Sequence, residues 1–223
     1  MLPDYLFARI KVIFFDAEGT LFTIHPSVGH IYATVGEKFG VKASPEAIQK
    51  KFFEIYRKSR NRWEAEPESC FEGWREVFLK TMEAFGRLED PEAAFKYCYE
   101  CFARKEFFRT VPEVKETLEL LRERGRRLSI ISNWDERLRR LLKELALDHY
   151  FEEIFISCET GLAKPDPAIF ELACRKLDVS PEEALMVGDS LEDDVLGART
   201  AGLWALRYPG GSLKRLFCRS KKS

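Results

Sequence analysis

The stretch FFDAEGTLF, residues 14–22, places an acid at the end of an apolar run and then turns. Residues 11–15, KVIFF, form the short continuous run. A run of this kind predicts a strand that is buried on both faces, as in a parallel sheet. Asp16 ends that strand, and a second acid, Glu18, follows two positions later. An acid at this point is either a turn residue or part of a site.

Residues 27–107 show helical patterns and no convincing strand. Two of the predicted helices begin with Ser-Pro at 44–45 and Asp-Pro at 90–91, which are good N-cap and first-turn pairs. Two of them stop at Gly40 and Gly86, since glycine readily ends a helix. The sequence therefore predicts an all-helical block directly after the first strand.

From residue 108 onward, predicted helices alternate with apolar strand-like runs. The runs are RLSIIS at 127–132, EIFIS at 153–157, ALMVGD at 184–189 and LWALRY at 203–208. Alternation of this kind predicts parallel βαβ units and a doubly wound α/β sheet. We therefore expect an α/β core domain formed by residues 1–24 and 108–223, with a helical cap domain at 25–107 inserted into it.

Composition excludes several classes of partner. The net charge of −1 gives no overall field for nucleic acid or an anionic membrane. No run reaches the roughly 18 apolar residues of a membrane span, and the N-terminus lacks the features of an export signal. We expect a cytoplasmic protein with reduced thiols, present as a monomer or small homo-oligomer. The basic C-terminal residues are typical of a solvated tail.

Six cysteines are present, and two of them, Cys98 and Cys101, form a C-x-x-C pair. Such a pair raises the question of a zinc or redox site. Its flanks read as helix, no second pair accompanies it, and a structural zinc site needs about four ligands. The interpretation we favour is that these thiols lie on a helix and pack against neighbouring helices.

Polar side chains follow the ends of consecutive predicted strands. The first strand ends at Asp16, the second at Ser132 and Asn133, and Lys164 follows the third. The fourth leads into an acidic loop with Asp189, Asp193 and Asp194. Any one of these has an ordinary interpretation as a cap, turn or surface residue. Because ligands of such sheets gather at the carboxyl ends of the strands, their joint placement predicts a site there.

The order of DAEGT, SN, AKPDP and VGDSLEDD along the chain resembles the four signature motifs of the haloacid dehalogenase superfamily. The resemblance covers nearly the whole chain, including a helical cap after the first motif, and is closest to the phosphatase-like branch with a small cap. It implies a Mg²⁺-dependent phosphatase that acts on a small phosphorylated metabolite through an aspartyl-phosphate intermediate.

The resemblance also implies roles for individual residues. Asp16 would be the nucleophile, and Lys164 would steady it. Thr20 would orient Asp16 and would also help to bind the substrate phosphate. Ser132 and the backbone amide of Asn133 would hold phosphate oxygens. The Mg²⁺ ligands would be Asp16, the backbone carbonyl of Glu18, Asp189 and Asp194, with Asp193 as the alternative to Asp194. Hard oxygen ligands of this kind suit Mg²⁺.

Glu18 departs from the family pattern, which has aspartate at this position as general acid and base. Glutamate has the right chemistry but is one methylene longer, and a misplacement of about 1 Å can cost on the order of 100-fold in rate. Glu18 is therefore a working acid/base, a weak one, or a residue without a role. We favour the first, because partial burial can bring its titration into the useful range.

The predicted cap offers candidate substrate contacts at Arg57, Arg60, Arg62, Trp63 and Trp74. The simpler interpretation is that these are charged helix faces and core tryptophans. Two other functions stay open. One is a binding or regulatory protein with weak catalysis, favoured by Glu18 alone. The other is a carbon–halogen hydrolase, which Asp189 and Asp194 disfavour because the metal-free dehalogenases lack this acidic cluster.

Overall fold

A parallel sheet forms the centre of the structure, a computed structural model that describes residues 4–60, 63, 66 and 68–217. Its strands lie in the order β5-β4-β1-β6-β7, so the first strand is central and the chain winds outward in both directions. The strands are β1 (Val12–Phe15), β4 (Arg127–Ser132), β5 (Ile154–Ile156), β6 (Ala184–Gly188) and β7 (Trp204–Arg207). This is the doubly wound α/β sheet predicted from the sequence.

Strand β1 explains why the sheet is buried on both faces. Ile13 and Phe15 pack into one apolar cluster, and Val12 and Phe14 pack into another. All four side chains are fully buried, because alternate residues of a strand point to opposite faces and helices cover both. Parallel pairing with β4 and β6 brings the carboxyl ends of these strands together at one edge.

Helices α2–α7 and α9 agree with the segments predicted from periodicity and caps, whereas the short helices α1 and α8 were not predicted. Their bounds are α1 (Asp4–Arg9), α2 (Val28–Lys38), α3 (Pro45–Ser59), α4 (Cys70–Glu83), α5 (Pro91–Cys101), α6 (Val114–Glu123), α7 (Arg137–Glu144), α8 (Ser157–Thr160), α9 (Pro167–Lys176) and α10 (Gly197–Thr200). The predicted caps Ser44 and Asp90 accept hydrogen bonds from backbone amides of their helices. Within the described residues, no helix combines the length and apolarity needed to cross a bilayer.

A short antiparallel pair of strands, which the sequence did not indicate, flanks the helical block. β2 (Phe22–Ile24) pairs with β3 (Phe108–Thr110). Helices α2–α5 lie between these strands in the chain and pack around an apolar cluster of their own. We call residues 25–107 the helical insertion. Three-residue strands carry too little periodicity to be found by pattern, and the division into two domains stays a prediction.

A disulfide between Cys70 and Cys158 contradicts the expectation that the thiols are all reduced. The two residues are separated by 88 positions, and their Cα atoms lie 6.0 Å apart. Cys70 begins α4 of the insertion, and Cys158 lies in α8 directly after β5. The bond therefore joins the helical insertion to the sheet. Cys98 and Cys101 are buried free thiols, as the packing interpretation predicted, and Cys218 lies outside the described residues.

We expect reduction of this disulfide to lower the free energy of unfolding by about 3–5 kcal/mol, because it closes a long loop in the unfolded chain. Guanidinium unfolding with and without reductant measures the difference. A Cys70→Ala/Cys158→Ala variant should lose the response to reductant, whereas Cys174→Ala, at a buried free thiol, should keep it. An equal response in all three proteins would show that the bond is absent in solution.

Candidate active site

Asp16 lies at the carboxyl end of the central strand, where it is 7% exposed. The chain then turns through Gly19, whose φ of +90° favours glycine. A Cβ atom at Gly19 would lie 2.7 Å from the carboxyl atoms of Asp189. The tight turn therefore brings the loop after β1 against the loop after β6, and only glycine allows this approach.

Lys164 is the centre of the charged cluster. Its ammonium group donates to Asp16 Oδ1 at 2.7 Å and to Asp194 Oδ1 at 2.5 Å. Both Lys164 and Asp194 are almost completely buried. Burial alone would lower the pKa of Lys164, but the two carboxylates raise it above its usual range. The lysine is therefore a fixed positive charge between two acids.

Asn133 fixes the backbone of that lysine. Its side-chain oxygen accepts from the Lys164 amide, and its side-chain NH₂ group donates to the Lys164 carbonyl, both at 2.8 Å. Ser132, the last residue of β4, is buried and lines the same cleft as Asp16. The predicted residues Ser132, Asn133 and Lys164 thus meet at the sheet edge.

Three carboxylates converge beside the lysine. One oxygen from each of Asp16, Asp189 and Asp194 lies within 4.8 Å of the others. Burial raises the pKa of Asp16 and of Asp189, and the nearby Asp194 raises both further, while Lys164 opposes the shift. Three acids facing one ammonium group leave this cluster short of positive charge, which is the electrostatic condition for binding a cation.

The acidic loop after β6 adopts an unusual helical turn. Residues Leu191–Leu196 form a π-helix before α10, where the sequence predicted one continuous helix. The Ser190 backbone amide donates to Asp194 Oδ2 at 3.0 Å, and the Ser190 hydroxyl accepts from the Asp193 amide at the same distance. A Cβ at Gly188 would collide with the Asp194 carboxyl. The turn therefore directs Asp194 inward toward Lys164.

Asp193 has a different partner. Its two carboxylate oxygens accept from the guanidinium of Arg60 at 3.2 and 3.0 Å. Arg60 follows α3 of the helical insertion, so this ion pair connects the insertion to the acidic loop. The sequence left Asp193 and Asp194 as alternatives, and the structure brings Asp194, not Asp193, into the carboxylate cluster.

Glu18 lines the cleft beside this cluster. The backbone amide of Ile24, at the end of β2, favours the charged form of the Glu18 carboxylate. Burial raises the pKa of Glu18 to about 7, the Ile24 amide opposes this rise, and the charge of Asp189 adds to it. The longer side chain is thus held at the cleft with a carboxyl that can both give and take a proton near neutral pH.

Thr20 behaves differently from the expectation. It is fully buried, and among the described residues its hydroxyl has no hydrogen-bond partner, so it makes no hydrogen bond to Asp16. Its role in orienting Asp16 or holding phosphate stays a prediction.

A buried ion pair at the start of α7 was missed in the sequence. The Arg137 guanidinium donates to both carboxylate oxygens of Asp135, at 2.8 and 2.5 Å, and to the Tyr99 carbonyl at 2.9 Å. It also lies 3.5 Å from the centre of the Tyr99 ring. Both charged residues are less than 5% exposed. The only signal was the run SNWDER directly after β4, which reads as a solvated helix start.

The sheet edge and the helical insertion enclose a cavity of about 380 Å³. Of the residues predicted to contact substrate, Arg60 and Trp74 line it. Trp63 is buried in the insertion's apolar cluster, and Arg57 is exposed with its guanidinium 5.5 Å from the centre of the Phe53 ring. Arg62 lies outside the described residues. The size of the cavity suits a small-molecule ligand.

The sequence is similar to a family of hydrolases and to individual members of it over most of its length. The sequence profile of a hydrolase family described as haloacid dehalogenase-like hydrolase matches residues 10–202. The "Haloacid dehalogenase-like hydrolase domain-containing protein 3" of Xenopus laevis is 31% identical over 87% of this chain and 82% of its own length. A "Glyceraldehyde 3-phosphate phosphatase" of Methanothermobacter thermautotrophicus is 28% identical over 88% of this chain and 84% of its own.

Among solved structures, that of a "HAD phosphatase from Thermococcus onnurineus" aligns with a TM-score of 0.65 and 26% identity. The alignment covers 96% of this chain and 90% of the other. The sheet and the helical insertion are therefore both within the aligned region.

We expect Arg137→Met to lower the free energy of unfolding by about 3–5 kcal/mol, because it leaves the Asp135 carboxylate buried without its partner. Arg139→Met on the same helix removes an exposed pair with Glu159 and should cost at most about 1 kcal/mol. Urea unfolding compares the two, with Arg137→Lys as a variant that keeps the charge and recovers part of the loss. Equal effects at 137 and 139 would contradict a structural role for the buried pair.

Proposed function

The chain belongs to the haloacid dehalogenase-like hydrolases, and we propose that it is a Mg²⁺-dependent phosphatase that hydrolyses a small phosphate monoester through an aspartyl-phosphate intermediate. One observation carries this proposal. A buried carboxylate, Asp16, ends the central strand with an ammonium group 2.7 Å away and two further carboxylates beside it. A nucleophile, a fixed cation and a set of cation ligands are the parts that phosphoryl transfer requires.

In the first step, an oxygen of Asp16 attacks phosphorus and the ester oxygen departs. The new bond is an acyl phosphate on Asp16, and the leaving oxygen takes the proton of Glu18. Lys164 holds the Asp16 carboxylate through its contact with Oδ1 and offsets part of the negative charge that two anions bring together. The Ser132 hydroxyl and the backbone amide of Asn133 hold the phosphate oxygens.

In the second step, Glu18 takes a proton from a water molecule that attacks phosphorus. The bond from phosphorus to the Asp16 oxygen breaks, phosphate leaves and the carboxylate is restored. The raised pKa of Glu18, about 7, lies near neutrality, where one group can serve as acid and then as base. The effect of the Ile24 amide on the Glu18 carboxyl supports the interpretation that the site accommodates glutamate.

The donor set fits Mg²⁺. Asp16, Asp189 and Asp194 would hold the ion together with the Glu18 backbone carbonyl, and the carboxylates are hard oxygen donors gathered where positive charge is lacking. When bound, Mg²⁺ would neutralise charge on the phosphoryl oxygens and thereby allow an anion to approach an anion. Lys164 alone cannot balance three carboxylates and a phosphate.

The helical insertion is proposed to act as a cap that encloses the substrate and excludes water. Its contacts with the sheet, through Arg60 with Asp193 and Arg137 with Tyr99, lie beside the cavity and support this role. The predicted cytoplasmic location and the monomeric or small homo-oligomeric state stay predictions.

We expect Asp16→Asn to reduce Mg²⁺-dependent hydrolysis of acetyl phosphate and p-nitrophenyl phosphate by at least about 1,000-fold, as loss of a covalent nucleophile does in other hydrolases. The wild-type rate should also fall to background when the metal is chelated. Glu192→Gln, which removes an exposed acid of the acidic loop after β6, is the control and should keep activity. Undiminished turnover in a folded Asp16→Asn protein would remove Asp16 as the nucleophile.

We expect Glu18→Gln to slow hydrolysis of an alkyl phosphate by about 100-fold or more, since acid–base catalysis contributes on the order of 10²–10⁴. With p-nitrophenyl phosphate, whose leaving group needs no proton, the variant should release a burst of p-nitrophenol and then stall as the aspartyl phosphate. Rapid-mixing kinetics measure the burst. Glu18→Asp should lower activity as well, because the shorter side chain withdraws from the Ile24 amide; higher activity in Glu18→Asp would mean that Glu18 is misplaced.

A further inference from the structure

The wall of the cleft that the helical insertion contributes is built from aromatic rings. Phe52, Tyr56 and Trp74 form a column of three nearly parallel rings, with neighbouring centroids 5.6 Å apart and interplanar angles of 7° and 6°. All three line the cavity, as does Phe53 beside them. Tyr56 and Trp74 are half-buried and Phe53 is 40% exposed. Phe52 is buried and the faces of Tyr56 are covered by its two neighbours, so a ligand can contact Phe53 and the exposed parts of Tyr56 and Trp74.

The positive charges at the same cleft are already matched by carboxylates. Within the described residues, the cations that line the cavity are Arg60, Arg137 and Lys164. Arg60 donates to both oxygens of Asp193, Arg137 donates to both oxygens of Asp135, and Lys164 lies between Asp16 and Asp194. A second anionic group on a substrate would thus lose its hydration and find these three cations already paired.

The aromatic rings at the cavity and the cations already paired with carboxylates together indicate which class of ligand the cavity favours. A planar ring can stack on or pack edge-on to the aromatic wall, which adds to the gain from apolar burial. A carboxylate or a second phosphate on the leaving group would face mainly aromatic carbon along this wall. The cavity of about 380 Å³ leaves room for a ring beyond the phosphate position.

We propose that the substrate of this site is a phosphate monoester whose leaving group is an uncharged planar ring, attached directly or through a short alkyl link. This inference rests on the proposed phosphatase function and adds to it the part of the substrate that the helical insertion selects. Because each cation that lines the cavity within the described residues is paired with a carboxylate, we expect phosphorylated acids and bisphosphates to bind less tightly.

Phosphonates test recognition without turnover. Isothermal titration in Mg²⁺ buffer compares benzylphosphonate, methylphosphonate and phosphonoacetate, which share the phosphonate group and differ in the attached ring, methyl group or carboxylate. We expect benzylphosphonate to bind about 10-fold more tightly than methylphosphonate, in keeping with ring stacking plus apolar burial. Phosphonoacetate should bind no better than methylphosphonate.

Two variants test whether the aromatic rings of the helical insertion cause the preference for benzylphosphonate. Tyr56→Leu keeps an apolar side chain and removes the middle ring, and Phe53→Ala removes an exposed ring at the cavity. Each should reduce the advantage of benzylphosphonate by about 3- to 10-fold and leave methylphosphonate binding unchanged. Phe71→Ala is the matched control, because Phe71 is also 40% exposed on a helix of the insertion but does not line the cavity. It should keep the full advantage.

Tighter binding of phosphonoacetate than of benzylphosphonate, or no advantage for the ring, would overturn the proposed substrate class. The same would follow if Phe71→Ala removed the advantage as strongly as Phe53→Ala. Acetyl phosphate has no ring, so its turnover and its loss in Asp16→Asn test the phosphatase function separately. Normal turnover of acetyl phosphate without a ring preference would reject the substrate class alone. Ring preference without turnover would reject the phosphatase function and retain the binding preference.

Discussion

A buried ammonium group between two buried carboxylates is the contact on which the site depends. Charges leave water at a high cost unless they are paired at good geometry, so Lys164 can occupy its position only while Asp16 and Asp194 are in theirs. Asn133 adds two hydrogen bonds to the backbone of the same lysine. Four segments that follow different strands are thereby held in one arrangement, and a shift in any one would leave a charge unpaired.

The sheet topology makes this arrangement possible. β1 lies between β4 and β6, so the residues after these three strands meet without long connections. The glycines at 19 and 188 then let loops approach closer than any side chain would permit. Around this rigid edge, the helical insertion adds the apolar half of the cleft. The site thus joins a charged floor, fixed by ion pairs, to an aromatic wall, fixed by ring packing.

Much of this could be predicted from the sequence, for reasons that are local. Apolar runs such as 11–15 and caps such as Ser44 and Asp90 act over a few residues, so pattern reveals them. The acids and the lysine were found because parallel strands place their ends together. The pairs Arg60–Asp193 and Cys70–Cys158 join residues 133 and 88 positions apart, and no local pattern encodes such partners. Arg137 was missed because an arginine near a helix start is usually solvated.

The disulfide changes how the helical insertion can move. The two polypeptide connections to the insertion run side by side through the β2–β3 pair. Cys70–Cys158 adds a third covalent attachment, between α4 of the insertion and α8 after β5. A rigid body fastened at three separate points loses its freedom to swing. In the oxidised protein this bond therefore restricts rotation of the whole insertion about the β2–β3 pair, and reduction removes that restriction.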